Sequence, residues 1–174
     1  MIQVLGSDTR RDVDIRHYPF LVYVMTPLIA LVLQAWLPRV LGPYAWFDFP
    51  LIVVAYFAMA RRSPIQGTFM GVVMGLLEDA LSHHAIGING IAKTAVGFLA
   101  ASVGVRIDVE NQSIRLLLVF LLSLLSSALY VFIYSVLLGF SLEWRWFAEL
   151  FRAVGNSLLV VFFFPLLDRL QIRD

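Results

Sequence analysis

The stretch Phe47-Asp-Phe-Pro-Leu-Ile-Val-Val-Ala-Tyr-Phe-Ala-Met-Ala60-Arg61-Arg62 decides how many times this chain crosses a membrane. From Phe47 to Ala60 it is an apolar run of 14 residues, with Asp48 and Pro50 near its start. A full helical span takes about 17 to 25 residues, so length alone leaves this run as either a short span or a re-entrant segment. The arginine pair that follows settles the choice, because Lys and Arg gather in short cytoplasmic loops and set orientation.

Five further apolar runs flank it, at Tyr18 to Trp36, Ile65 to Leu81, Ile86 to Val105, Leu116 to Leu138 and Phe147 to Leu167. With all six counted as spans, one side of the membrane receives Arg10, Arg11, Arg16, Arg61, Arg62, Arg106, Arg115, Arg169 and Arg173. The other side receives only Arg39 and Arg145, and the split is nine against two. Removing the second run would place Arg61 and Arg62 opposite the N-terminal arginines. The charge rule therefore predicts six crossings with both termini cytoplasmic. All four tryptophans, Trp36, Trp46, Trp144 and Trp146, fall at predicted outer boundaries, the headgroup level that amphipathic indoles prefer.

Composition supports the same class. Of 174 residues, 60% are hydrophobic and 14% charged, and the mean hydropathy is +0.85. A soluble domain is typically about 45 to 50% apolar with about a quarter charged, so a globule this small would leave much apolar surface in water. A formal net charge of +1 gives no basic face for nucleic acid. The absence of cysteine excludes disulfides, thiolate metal sites and thiol chemistry. The first run ends in Gln34-Ala35-Trp36 without a small-residue cleavage site and reads as a retained span. The expected organisation is all-α and single-domain: a cytoplasmic tail over 1–17, a six-helix transmembrane domain over 18–167 and a cytoplasmic C-terminal tail over 168–174. The first tail balances three arginines against Asp8, Asp12 and Asp14 and is expected to be solvated and mobile rather than an interfacial helix.

Charged side chains inside spans are costly and mark candidate sites. Four qualify: Glu78, Asp79, Lys93 and Arg152. All fall in the outer half of the predicted spans, and their charges sum to zero, as expected for a paired network that fixes helix packing. Gly67, Gly71, Gly75 and Asp79 recur every four residues and share one face, which predicts a close helix contact there. On that face Asp79 is expected to pair with Lys93 or Arg152, leaving Glu78 free to point at headgroups or water. His83 and His84 are adjacent and do not converge as zinc ligands would. Ser123, Ser126 and Ser127 have no histidine partner for nucleophilic chemistry and read as helix–helix contacts. An acidic pair also opens the motif of glutamate-rich intramembrane prenyl-protease-like enzymes, but the arginine those enzymes carry four residues later is His83 here. No catalytic, metal or cofactor site is expected.

The segment Gly67-Thr-Phe-Met-Gly71-Val-Val-Met-Gly75-Leu-Leu-Glu78-Asp79-Ala-Leu-Ser82, followed by Ile86-Gly87-Ile-Asn89-Gly90, resembles the rod shape-determining protein MreD family. That family shares the glycine-spaced helix ending in aspartate, the serine three residues on and the glycine-containing turn. His83-His84 and Lys93 depart from its pattern without touching the core motif. The resemblance implies a non-enzymatic, multi-pass subunit of the bacterial inner membrane that serves cell elongation and peptidoglycan synthesis. Its implied partners are MreC, the actin-like MreB, the glycosyltransferase RodA and a class B penicillin-binding protein. It also implies a fold like the six-helix substrate-binding subunits of energy-coupling-factor vitamin transporters. A vitamin-binding subunit is therefore the alternative reading.

Overall fold

The computed structural model describes residues 18–41, 47–82, 86–139 and 145–171. The N-terminal tail, His83 and His84, Trp46 and Trp144, and Arg173 lie outside the described residues. Six helices are described: α1 (Phe20–Leu41), α2 (Phe49–Arg61), α3 (Pro64–Ser82), α4 (Ile88–Arg106), α5 (Gln112–Leu138) and α6 (Trp146–Asp168). Each corresponds to one apolar run. Four are long and apolar enough to cross a membrane, namely α1, α4, α5 and α6.

The short second run is the centre of the bundle. Every residue of α2 from Phe49 to Ala60 is buried, and α2 touches all five other helices. At the helical rise its 13 residues reach only about 20 Å, less than the roughly 30 Å hydrocarbon thickness. That shortfall costs little here, since α2 meets protein on all sides and has no lipid-facing surface to match. Its sequence is correspondingly apolar all round rather than striped.

The polar residues that interrupt this run are its start signals. Asp48 is the N-cap, and its Oδ1 accepts from the Leu51 N–H at 2.9 Å. Pro50 stands in the first turn, where a missing N–H leaves no bond unmade. At the other end Arg62 adopts a left-handed conformation (φ 50°) and its N–H returns to the Ala58 carbonyl. The chain then reverses through Ser63 into α3.

Helices α3 and α4 form the tightest seam. Gly67 faces the Gly97 carbonyl, Gly71 the Lys93 carbonyl and Gly75 the Asn89 carbonyl, so backbone meets backbone along the whole antiparallel contact. Gly97 reciprocates against Gly67, and Gly104 lies against Met59 of α2, where a Cβ would stand 3.1 Å from the carbonyl oxygen. Small residues on facing helices permit this approach.

Opposite ends of the bundle are each closed by polar groups. At one end the Tyr18 and Tyr56 hydroxyls are 2.7 Å apart, Tyr56 donates to Asp168 Oδ1 at 2.7 Å, and Arg115 Nη1 holds Asp168 Oδ2 at 2.7 Å. The guanidinium of Arg115 also lies over the Phe164 ring, 5.6 Å from its centroid. The sequence reading places Arg115 in a loop, yet it lies in the first turns of α5 and is buried. Asp168 on α6 supplies the charge that makes that burial affordable. Trp36 and Trp146 are exposed and lie near the other end.

Candidate functional site

That other end is built around Asp48 and Lys93. Lys93, on the second turn of α4, is fully buried at 0% exposure. Its ammonium lies 3.0 Å from Asp48 Oδ2 and 2.5 Å from Glu78 Oε2. Two carboxylates from different elements thus share one cation.

The same residue, Asp48, ties in the remaining helices. Its backbone N–H donates to Asn156 Oδ1 of α6 at 2.8 Å, and Asn156 Nδ2 donates to Ser123 Oγ of α5 at 2.7 Å. The next N–H, of Phe49, donates to Gln34 Oε1 of α1 at 3.1 Å. All six helices are therefore joined through one capping aspartate and its neighbours. Of these contacts the Lys93–carboxylate ones are charge-assisted and the strongest, and the neutral bonds around them fix where the carboxylates stand.

Asp79 has a different task. It is 0% exposed and binds the start of α4. Its Oδ2 accepts from Gly87 N at 2.8 Å and Gly90 N at 3.3 Å, and its Oδ1 from Asn89 N at 3.3 Å and Asn89 Nδ2 at 2.9 Å. The first residues of α4 include no side-chain cap of their own, and Gly87 holds a left-handed φ of 105° that a glycine takes without strain. A carboxylate delivered from α3 supplies the missing acceptors and meets the positive end of the helix dipole.

These positions correct the expected pairing. Asp79 is partnered by backbone and Asn89 rather than by Lys93 or Arg152. Glu78, expected to face headgroups or water, is buried and takes the lysine. The reason is depth and direction. Asp79 lies level with the first turn of α4, a turn away from where Lys93 starts, whereas Glu78, about 100° round α3 from Asp79, meets the Lys93 side chain as it runs to Asp48. Arg152 joins neither group: it is 46% exposed at its side chain and lies 3.6 Å from Glu149 of its own helix.

Beside the cluster lies a cavity of about 580 Å³, lined by Gln34, Arg39, Asp48, Glu78, Asn89, Ser126, Ser127, Tyr130 and Arg152 among others. It exists because α1 packs on α2 and α3 without reaching α5 or α6. Ser123 makes the helix–helix contact expected of it, but Ser126 and Ser127 face the cavity instead.

Sequence reasoning missed Asp48, Asn156 and the cavity wall. An available signal was Asp48-Phe-Pro50, the pattern of an N-cap followed by a first-turn proline. Another was Ser123, Ser126, Ser127, Tyr130 and Tyr134 at spacings of three and four, a polar stripe on an otherwise apolar helix. Nothing local marks Asn156 as the partner of Asp48, 108 residues away.

A bundle of apolar helices around a buried post, pinned at both ends by ion pairs, defines a small integral membrane protein. The chain belongs to the MreD family, since the family model for rod shape-determining protein MreD matches residues 14–170. Rod-shape determination is accordingly its role. No curated protein and no solved structure matches the chain.

Proposed function

We propose that this protein is a non-enzymatic, multi-pass subunit of the bacterial cytoplasmic membrane that scaffolds MreC and the RodA–penicillin-binding-protein synthase, with MreB reached directly or indirectly from the cytoplasmic side. The family match over residues 14–170 carries the reading. The ionic groups support a structural rather than a reactive role, because Lys93 is held between Asp48 and Glu78 across three elements and Asp79 is committed to capping α4. In a rod-shaped host depleted of its own MreD, the protein is expected to restore rods and to co-purify with MreC. Round cells despite normal expression would overturn the proposal, and a tightly held vitamin in the purified protein would favour the transporter-subunit alternative.

The proposed topology has six crossings, both termini cytoplasmic, and an arrangement like that of the vitamin-binding subunits. The crossings and their orientation rest on the nine-to-two split of arginines, and the likeness to the vitamin-binding subunits rests on the family match alone. Under it the Asp48–Lys93 cluster lies toward the outer face and the Tyr56–Asp168–Arg115 cluster toward the cytoplasm. The chain has no native cysteine, so single cysteines can be read directly. In intact cells an impermeant thiol reagent is expected to label Glu143→Cys and spare Arg62→Cys. The reverse pattern would invert the topology.

A further inference from the structure

The cavity beside the ion cluster has the composition of a ligand site. Its floor carries Asp48 and Glu78 with the single ammonium of Lys93 between them, so formal charge leaves one carboxylate there without a cation of its own. Its wall carries Ser126 and Ser127, which are 6% and 7% exposed and make no hydrogen bond to any other described residue. Their hydroxyls open onto the cavity, so a molecule inside it meets two donor–acceptor groups that no described residue occupies. Further out stand two guanidiniums, Arg39 of α1 and Arg152 of α6, on the two helices that fail to meet. Glu149 occupies Arg152 only at 3.6 Å through one nitrogen, which leaves most of that donor fork open.

We infer that this cavity binds a phosphodiester bearing a primary amine, the chemistry of an ethanolamine phospholipid headgroup. The amine would enter first. Its positive charge balances the surplus carboxylate of the floor, and its three N–H donors match the acceptors of Glu78, Asp48 and the serine hydroxyls. The phosphate would lie further out between Arg39 and Arg152, since guanidinium forks suit phosphate oxygens. A headgroup without a cation would leave the floor unbalanced. A quaternary ammonium would balance the charge and yet offer no N–H donor. The same headgroup could arrive on a membrane lipid or as the soluble glycerophosphodiester, and the bundle's apolar exterior favours the lipid.

The full-length protein, purified in detergent, is titrated by native mass spectrometry with phosphatidylethanolamine, phosphatidylcholine and phosphatidylglycerol of matched chains, and separately with soluble glycerophosphoethanolamine. Phosphatidylethanolamine is expected to bind roughly tenfold more tightly than either other lipid, the effect of one or two charge-assisted hydrogen bonds. Glu78→Gln should erase its advantage over phosphatidylcholine. Arg152→Gln, at a half-exposed position where folding is not at stake, should weaken it roughly tenfold. Ser127→Ala should weaken it about threefold, and Arg106→Gln, at the opposite end of α4, should leave it unchanged. Soluble glycerophosphoethanolamine binding with the same variant pattern would support the chemistry and assign it a soluble source; binding of the lipid alone assigns it to the membrane. Equal binding of the three lipids, or an equal loss in Arg106→Gln and Arg152→Gln, would overturn the site.

Discussion

Lys93→Met is expected to be among the most damaging single substitutions in this protein, lowering stability by about 3 to 5 kcal/mol, the usual consequence of stripping a buried ion pair of one partner. Lys93 is fully buried, and its removal leaves Asp48 and Glu78 facing each other with no cation between them. A membrane domain of this size has little to spare against such a loss. Methionine is close to lysine in length and apolar, so the packing around the stem is nearly kept and the charge is what the change removes. The thermal midpoint in detergent and the yield of folded protein are the readouts. Combining Lys93→Met with Asp48→Asn and Glu78→Gln should recover at least half of the loss, because the carboxylates that made the vacancy costly are gone. A stable Lys93→Met protein that failed to support rod shape would instead mean that the lysine serves the function and not the fold. Glu78→Gln alone should be milder, since Lys93 keeps Asp48.

How much of this was legible in the sequence depends on distance along the chain. The six apolar runs match the six helices because bilayer-scale hydrophobicity is a local property. The glycine stripe was readable for the same reason: Gly67, Gly71 and Gly75 lie within one helix, so spacing alone places them on a common face. What the spacing does not contain is the axial register of the partner helix. That register depends on the turn between α3 and α4 and on the carbonyls that the glycines meet, and it determines that Asp79 reaches the first turn of α4 while Glu78 reaches Lys93. Equal depth in a bilayer looked like pairing and was not sufficient for it. Asp48 is hard to read from sequence for a related reason. Judged as part of a membrane span, an aspartate and a proline weaken the run, whereas judged as the start of a buried helix they are its cap and first turn.

The second large effect concerns Gly71, where two contributions of opposite sign compete. Alanine is the better helix former by about 1 kcal/mol, so Gly71→Ala should stabilise α3 if the helix stood alone. In the bundle, a Cβ at this position would land on the Lys93 carbonyl and come within 2.6 Å of its carbon and 2.9 Å of Thr94 Cα. Those atoms are backbone and cannot rotate away. Overpacking of a tight core commonly costs about 1 to 3 kcal/mol, and a backbone partner puts this case at the upper end, so packing is expected to outweigh propensity. Gly71→Ala should lower the thermal midpoint in detergent, and Gly71→Leu should largely abolish recovery of folded protein. Val73→Leu, two residues on and facing outward, should do neither. A Gly71→Ala protein as stable as the parent would show that α3 and α4 have room to separate. The loss should also be coupled to the ion cluster, since the carbonyl that Gly71 meets belongs to Lys93 itself. Pushing α4 away draws the ammonium off Asp48 and Glu78, so Gly71→Ala combined with Lys93→Met should cost less than the sum of the two single changes. Strict additivity would mean that the seam and the ion cluster are independent, which their shared residue argues against.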